Sequence, residues 1–265
     1  MQLVIDPPGL ARLCESFPPP QLIDVRRAAR RAEDPVVIPG AVARELDDVA
    51  RWRTSMESWR SVVTYCAEGH ERGRDAAQAL RDAGVPALSL EGGLAAWRAA
   101  GHATAPLRPP TRWVTRERPK IDRIACPWLV RRFIDPSAEF IYVPAKDVLA
   151  AATARHATPY DVPGVDYTHA GDRCSFDAFI ARHALDDAPL ARLADIVRAA
   201  DTGRLDAAAE AAGLAALSLG LSRLFADDHA MLAAGMMMYD ALYAWCRDTL
   251  GEQRTRTPAA LRMAT

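Results

Sequence analysis

The chain has 265 residues, half of them apolar, with 33 Lys+Arg against 34 Asp+Glu and a formal net charge of −1. That length allows one large domain or two of ordinary size, and the even charge balance argues against a generally basic nucleic-acid binder, so any charge effect must be local. Five cysteines, odd in number and irregularly spaced (Cys14, Cys66, Cys126, Cys174 and Cys246), argue against a disulfide framework and for the reduced thiols of a cytoplasmic protein. The N-terminal MQLVIDPPGL shows no secretory pattern of a basic region followed by an apolar one. The longest apolar stretches, 211–222 and 229–246, are too short or broken by acids such as Asp240 to span a membrane, so no membrane partner is expected.

In chain order, LVI (3–5), QLIDV (21–25), VVTYC (62–66) and ALSL (87–90) read as strands, and helical patterns fall at 8–16, 41–49, 73–83 and 93–100. Strands alternating with helices imply a mostly parallel sheet. The segment GHATAPLRPPTR (101–112) carries three prolines and no periodicity and reads as a linker. A short mixed segment follows (113–167), then alanine- and leucine-rich helical patterns at about 175–184, 188–200, 206–223 and 227–249. The expected division is 1–104, a linker at 105–112, a second domain at 113–250 and a tail at 251–265.

In VVTYCAEGHERGRDAAQALRDAG (62–84) an apolar run meets a helical pattern at Cys66, and Gly84 stands where a helix C-terminus favours a left-handed residue. A strand-to-helix turn can curl backbone N–H groups around a sulfur, with a helix N-terminus behind it. Such a loop favours a thiolate and also binds an oxyanion. Gly69 supplies conformational freedom, and His70 and Arg72 supply donors or positive charge. The other reading of Cys66 is an ordinary buried cysteine at a strand end.

LIDVR (22–26), IPGA (38–41), the Tyr65–Cys66 loop and LEGGLAAWRAAG (90–101) come in the order and approximate spacing of a rhodanese domain, which residues 1–103 resemble. The resemblance implies an α/β fold, a central parallel sheet flanked by helices, with Cys66 at the persulfide-forming position. It also implies that Asp24 steadies the fold near the active loop and that Gly92 and Gly93 pack close behind it. The usual sulfurtransferase loop resembles C-x-x-G-x-R-S, whereas this chain reads Cys66-Ala67-Glu68-Gly69-His70-Glu71-Arg72. Glu71 replaces a common basic residue, and the result is C-x5-R, the spacing of cysteine-dependent phosphatases and some arsenate reductases. A loop of N–H groups with a guanidinium, here that of Arg72, fits a tetrahedral dianion. Sulfur transfer, phosphatase or oxyanion-reductase chemistry, and simple binding all stay open on these residues.

In the second half, TRWVTRERPKIDRIACPWLVRRFIDPSAEFIYVPA (111–145) concentrates seven basic residues between Arg112 and Arg132 against Glu117 and Asp122. It reads either as a solvated basic face or as an anion site around Lys120 and Arg123. Pro127 suits the first turn of a helix whose buried face is Trp128, Leu129 and Phe133. In DVPGVDYTHAGDRCSFDAFIARHAL (161–185), Cys174 or Ser175 is a plausible helix N-cap, which would account for Asp177 in the first turn. A carboxylate inside an apolar helix, as at Asp240, is costly unless paired or bound to a cation. His169, Asp177, Asp201 and Asp240 could converge as N/O ligands for iron, manganese or zinc, or could satisfy arginines and helix ends separately.

The run WVTRERPKIDRIACPWLVRRFID, with AEFIYVPA, HAGDRCSFD, IVRAADT and YDALYAWC, resembles the C-terminal domain of the bacterial chromate-resistance protein family over about 113–250. That implies a mainly α-helical (α+β) domain and an association with chromate detoxification or with control of a chromate efflux pump. Together the halves suggest a chromate-resistance protein handling small inorganic anions, thiosulfate-like sulfur donors or chromate. A non-enzymatic chromate sensor is the competing reading. DNA as a partner has weak support, because the helices after 175 carry scattered charge of both signs.

Overall fold

The computed structural model describes residues 3–248, so the expected tail at 251–265 lies outside the described residues. Five short parallel strands form the sheet of the first domain: β1 (Val4–Ile5), β2 (Gln21–Asp24), β4 (Ala41–Ala43), β5 (Val62–Tyr65) and β6 (Ala87–Leu90). Their order is β1-β6-β5-β2-β4, with β5 in the centre and all four of its residues buried. The near-continuous apolar character of β5 reflects burial on both faces, as expected for a strand in a parallel sheet covered by helices. Helices α1 (Pro7–Cys14), α4 (Glu71–Asp82) and α5 (Gly93–Ala99) follow β1, β5 and β6; α2 (Ala28–Glu33) and α3 (Val49–Trp52) are short.

The helical pattern expected over 41–49 is instead strand β4 followed by a 3-10 turn and α3. Pro39 and Gly40 (φ +82°) turn the chain so that Ala41–Ala43 can pair with Leu22–Asp24 of β2. Three residues are too few for alternation to show in a sequence. Strands β3 (Val36–Val37) and β7 (Ala105–Pro106) form a separate antiparallel pair, so part of the proline-rich segment after residue 101 is held against the first domain.

The second domain opens on β8 (Arg112–Arg116), which pairs in parallel with β9 (Glu139–Val143) on one side and β10 (Thr158–Pro159) on the other. Around this sheet lie α6 (Asp122–Leu129), α7 (Val148–Arg155), α8 (Ser175–Arg182), α9 (Ala188–Asp201), α10 (Ala211–Leu224) and α11 (Asp228–Asp248). Pro127 sits inside α6 rather than in its first turn. The carbonyl of Arg123, which a proline at 127 cannot satisfy, accepts the Tyr160 hydroxyl at 3.5 Å, and the helix continues as one π-helical turn, Val130–Ile134. Trp128 is fully buried at the centre of an aromatic cluster with Phe133, Phe176, Tyr239 and Tyr243.

Six of the seven basic residues of 112–132 are engaged internally. Arg112 pairs with Glu139 and Arg116 with Asp161. Arg118 donates to the carbonyls of Ser222, Phe225 and Ala226 at the end of α10. Arg131 lies over the Phe140 ring. Arg132, 2 % exposed at its side chain, pairs with Asp240 of α11 and with Glu57 of the first domain. Asp240 also accepts the indole N–H groups of Trp128 and Trp59. No helix among the described residues is long and apolar enough to cross a membrane.

Burial alone would push the Asp240 carboxyl up, but the hydrogen bonds and charge of Arg132 outweigh it and hold it below the usual carboxylate range. Its contribution to stability is therefore complete above the unfolded value and is lost as pH falls through the lower folded value. Asp240→Asn should cost about 3 kcal/mol, the low end for breaking a buried pair, because Glu57 still faces Arg132. It should also flatten the acid limb of the stability–pH curve. Urea unfolding of both proteins across pH 3–7 measures this, and equal midpoints throughout would refute it.

Candidate functional site

Two clusters of reactive groups stand at element ends. The first surrounds Cys66, the residue after β5. Its side chain is nearly buried, and its thiol donates to the His70 carbonyl at 3.8 Å. The turn 66–70 leads directly into α4, whose Gly73 lies so close that a Cβ there would stand 3.4 Å from the Cys66 nitrogen. The start of α5 fastens the turn from the other side: Leu94 N–H donates to Cys66 O and Ala95 N–H to Ala67 O, both at 2.9 Å. Gly93 (φ +59°) makes that approach feasible, since a Cβ would fall 2.4 Å from Cys66 O and 2.5 Å from Gly69 N. With the carbonyls of the turn tied back, the N–H groups of Ala67, Glu68, Gly69 and His70 have no acceptor among the described residues. Unpaired N–H groups ahead of a helix N-terminus form an anion-binding concavity.

The other residues expected at this loop are placed differently. Glu71 is exposed in the first turn of α4. His70 is exposed beside Glu68 at 3.5 Å. Arg72 Nε donates to the Val25 carbonyl at 3.0 Å, and its Nη2 lies 4.0 Å from Glu45. Asp24 holds Arg26 in a buried bidentate pair behind the ends of β2 and β5. Lys120 and Arg123 belong to the second domain, where Arg123 pairs with Asp161 at 3.1 Å.

The second cluster contains two of the four expected metal ligands. His169 Nε2 lies 3.2 Å from Asp201 Oδ2, 3.3 Å from Asp122 Oδ2 and 3.4 Å from Asp161 Oδ1. Asp177 is not there: it caps the N-terminus of α8 by accepting Cys174 N–H and holds Arg198 in a bidentate pair. Asp240 is spent on Arg132 and two tryptophans, as described above. Both acids thus take the partner expected when no cation is involved. Asp122, the first residue of α6, and Asp161, after β10, take their places, and the buried Cys174 stands against Asp122 and Asp201. Asp122 stands at the head of an apolar helix, where a carboxylate is an ordinary first-turn residue, so it carried a weaker signal than Asp240 in a helix interior; Asp161 carried none.

Electrostatics bind the cluster together. The hydrogen bond to Asp122 is the largest influence on His169, which with the neighbouring carboxylates raises the imidazole to about 9 despite partial burial. Burial first and the Asp122 charge second raise both Asp201 and Asp161, the latter against the pull of Arg116 and Arg123. Burial also pushes the Cys174 thiol up. Two cluster segments contain non-glycine residues at positive φ: Ile121 (+38°), immediately before Asp122, and Asp161 itself (+52°).

The fold and the two clusters define a rhodanese-like domain joined to a helical domain with a carboxylate–histidine centre. Residues 9–100 match the rhodanese-like domain, and residues 113–246 match the family described as ChrB, C-terminal domain. The chain belongs to the ChrB C-terminal domain family. It is 38 % identical over 144 residues to Protein ChrB of Cupriavidus metallidurans, covering 52 % of this chain and 43 % of that protein. The chain thus spans less than half the length of this curated relative. Among solved structures, it is similar at 25 % identity to a protein of unknown function from Rhodopseudomonas palustris CGA009, described as a possible tyrosine phosphatase (TM-score 0.36, 39 % of this chain and 85 % of that one). It is similar at 27 % identity to a rhodanese-like domain protein from Staphylococcus aureus (TM-score 0.33, 37 % and 91 %).

Gly93→Ala should force α5 away from the cysteine loop, at a strain of about 1–3 kcal/mol. The expected result is a lower melting temperature and faster alkylation of Cys66 by iodoacetamide. Unchanged values for both would show that the close approach is dispensable.

Proposed function

We propose that this is a chromate-resistance protein whose first domain uses Cys66 as a nucleophile for sulfur and whose second domain binds an inorganic ion. The observation that carries the reading is the set of N–H groups at Ala67–His70 without acceptors among the described residues, in the turn that follows a cysteine at a strand-to-helix junction. With a thiosulfate-like donor, the Cys66 thiolate attacks the sulfane sulfur. The S–S bond of thiosulfate breaks, sulfite leaves with the electron pair, and Cys66 carries a persulfide. An acceptor such as cyanide then takes the outer sulfur as thiocyanate and regenerates the thiolate. The free N–H groups and the α4 N-terminus stabilise the anionic sulfur at each stage.

The same loop can hold an oxyanion such as chromate. Cysteine-phosphatase chemistry has less support. The C-x5-R spacing serves that reaction when the guanidinium grips the tetrahedral dianion, whereas Arg72 is drawn to Val25 O and toward Glu45.

The full chain incubated with thiosulfate and cyanide should form thiocyanate, and intact mass after thiosulfate alone should rise by one sulfur atom. Cys66→Ser should abolish both, and Arg72→Ala should leave sulfur transfer largely in place. A wild-type rate equal to background would refute sulfur transfer. Turnover of an aryl phosphate that depends on both Cys66 and Arg72 would establish the phosphatase reading instead.

A further inference from the structure

The sulfur chemistry leaves the second cluster unused, and that cluster is expensive to keep. Asp122 and Asp161 have side chains 3 % and 5 % exposed, and Asp201 is 14 % exposed. Asp161 has its own cations in Arg116 and Arg123 and also accepts the Ser175 hydroxyl at 3.0 Å. Among the described residues, the cationic group facing Asp122 and Asp201 is the His169 imidazole. One imidazole between two further carboxylates leaves buried negative charge that only a proton or a metal cation can relieve.

The hydrogen bond from His169 to Asp122 does not by itself account for the geometry. A single N–H directs itself at one acceptor, yet His169 Nε2 is nearly equidistant from three carboxylate oxygens, at 3.2, 3.3 and 3.4 Å. Those distances match the edge of a coordination shell. With metal–ligand arms of about 2.0–2.1 Å, the nitrogen-to-oxygen edge of a tetrahedral site is about 3.3–3.4 Å. The donor atoms of Asp122, Asp161 and His169 all lie within 4.8 Å of one another.

Cys174 lines the inner side of the same carboxylates. Its side chain is completely buried, and its sulfur lies within 4.8 Å of carboxylate oxygens of Asp122 and Asp201. Its sulfur accepts the Asp177 backbone N–H at the cap of α8. A donor set that contains an imidazole, with a buried thiol against two of its carboxylates, favours a first-row transition metal over magnesium or calcium, which prefer all-oxygen sites.

We propose that Asp122, Asp161, His169 and Asp201 bind one divalent transition-metal cation, with the Cys174 thiol as the inner wall of the site. The assignment rests on reading the second domain as an inorganic-ion binder, and it is independent of Cys66. It uses residues from four separate segments, the head of α6, the turn after β10, the loop before α8 and the end of α9, so the site exists only in the folded domain. Binding would therefore stabilise that domain by mass action.

The test uses the full chain, treated with chelator and dialysed, then equilibrated with MnCl2 or ZnCl2 and measured for bound metal by elemental analysis. The expected result is about one metal per chain, a higher melting temperature on addition, and at least about tenfold weaker binding in His169→Gln and Asp201→Asn. Asp201 is the least buried of the carboxylates, so its variant should retain the metal-free circular-dichroism spectrum of the parent and report on binding alone. Absence of stoichiometric Mn and Zn, or wild-type affinity in both folded variants, would overturn the proposal. The thiosulfate assay on the same samples reads Cys66 separately, so loss of one activity does not mimic loss of the other.

Discussion

The guanidinium of Arg132 is the point on which the arrangement of the chain turns. It is buried between Asp240 of α11 and Glu57 of the first domain, and it projects from the π-helical turn that a proline-containing helix runs into. A buried ion pair survives only when its remaining hydrogen-bonding capacity is filled. Here Trp59 and Trp128 fill the other sites on Asp240, and Arg60 shares Glu57. Phe17 packs on Tyr243 at 4.5 Å beside this network, so polar and apolar contacts join the same surfaces. The first sheet and the helical domain are held together by groups that neither could bury alone.

The two clusters solve opposite electrostatic problems with the same structural resource, the ends of secondary-structure elements. In the first domain the chain ties the Cys66 and Ala67 carbonyls back to α5 and leaves the N–H groups of the cysteine turn without acceptors among the described residues, a setting for negative charge. In the second it gathers carboxylates from a helix start, a strand end and a helix end around one imidazole, a setting for positive charge. The basic run at 112–132 belongs to neither as a free surface. Its arginines cap a helix, pair across strands and neutralise Asp161 and Asp240, which makes it the internal wiring of the second domain.

Much of the first site was legible because its signals are local. An apolar run of β-branched residues, a cysteine, a glycine-containing turn and a 3.6-residue periodicity place Cys66 between β5 and α4 without reference to distant parts of the chain. The direction of Arg72 was not legible, since it depends on the Val25 carbonyl and Glu45 lying next to α4 in space. Strand β4 was hidden for a related reason: three residues carry no period, and pairing with β2 determines their state.

For the second site, residue types in the sequence indicated that buried acids needed partners, and they placed His169 and Asp201 in one set. Which partner each acid receives was decided only by tertiary structure. Asp177 and Asp240 meet arginines from α9 and from the π-helical turn after α6, whereas Asp122 and Asp161 meet the histidine. A carboxylate's sequence neighbours can show that it lies in an apolar element and that burying it is costly. They cannot show which cation the folding of the rest of the chain brings within hydrogen-bonding distance, because that distance is set by the packing of elements far apart in sequence.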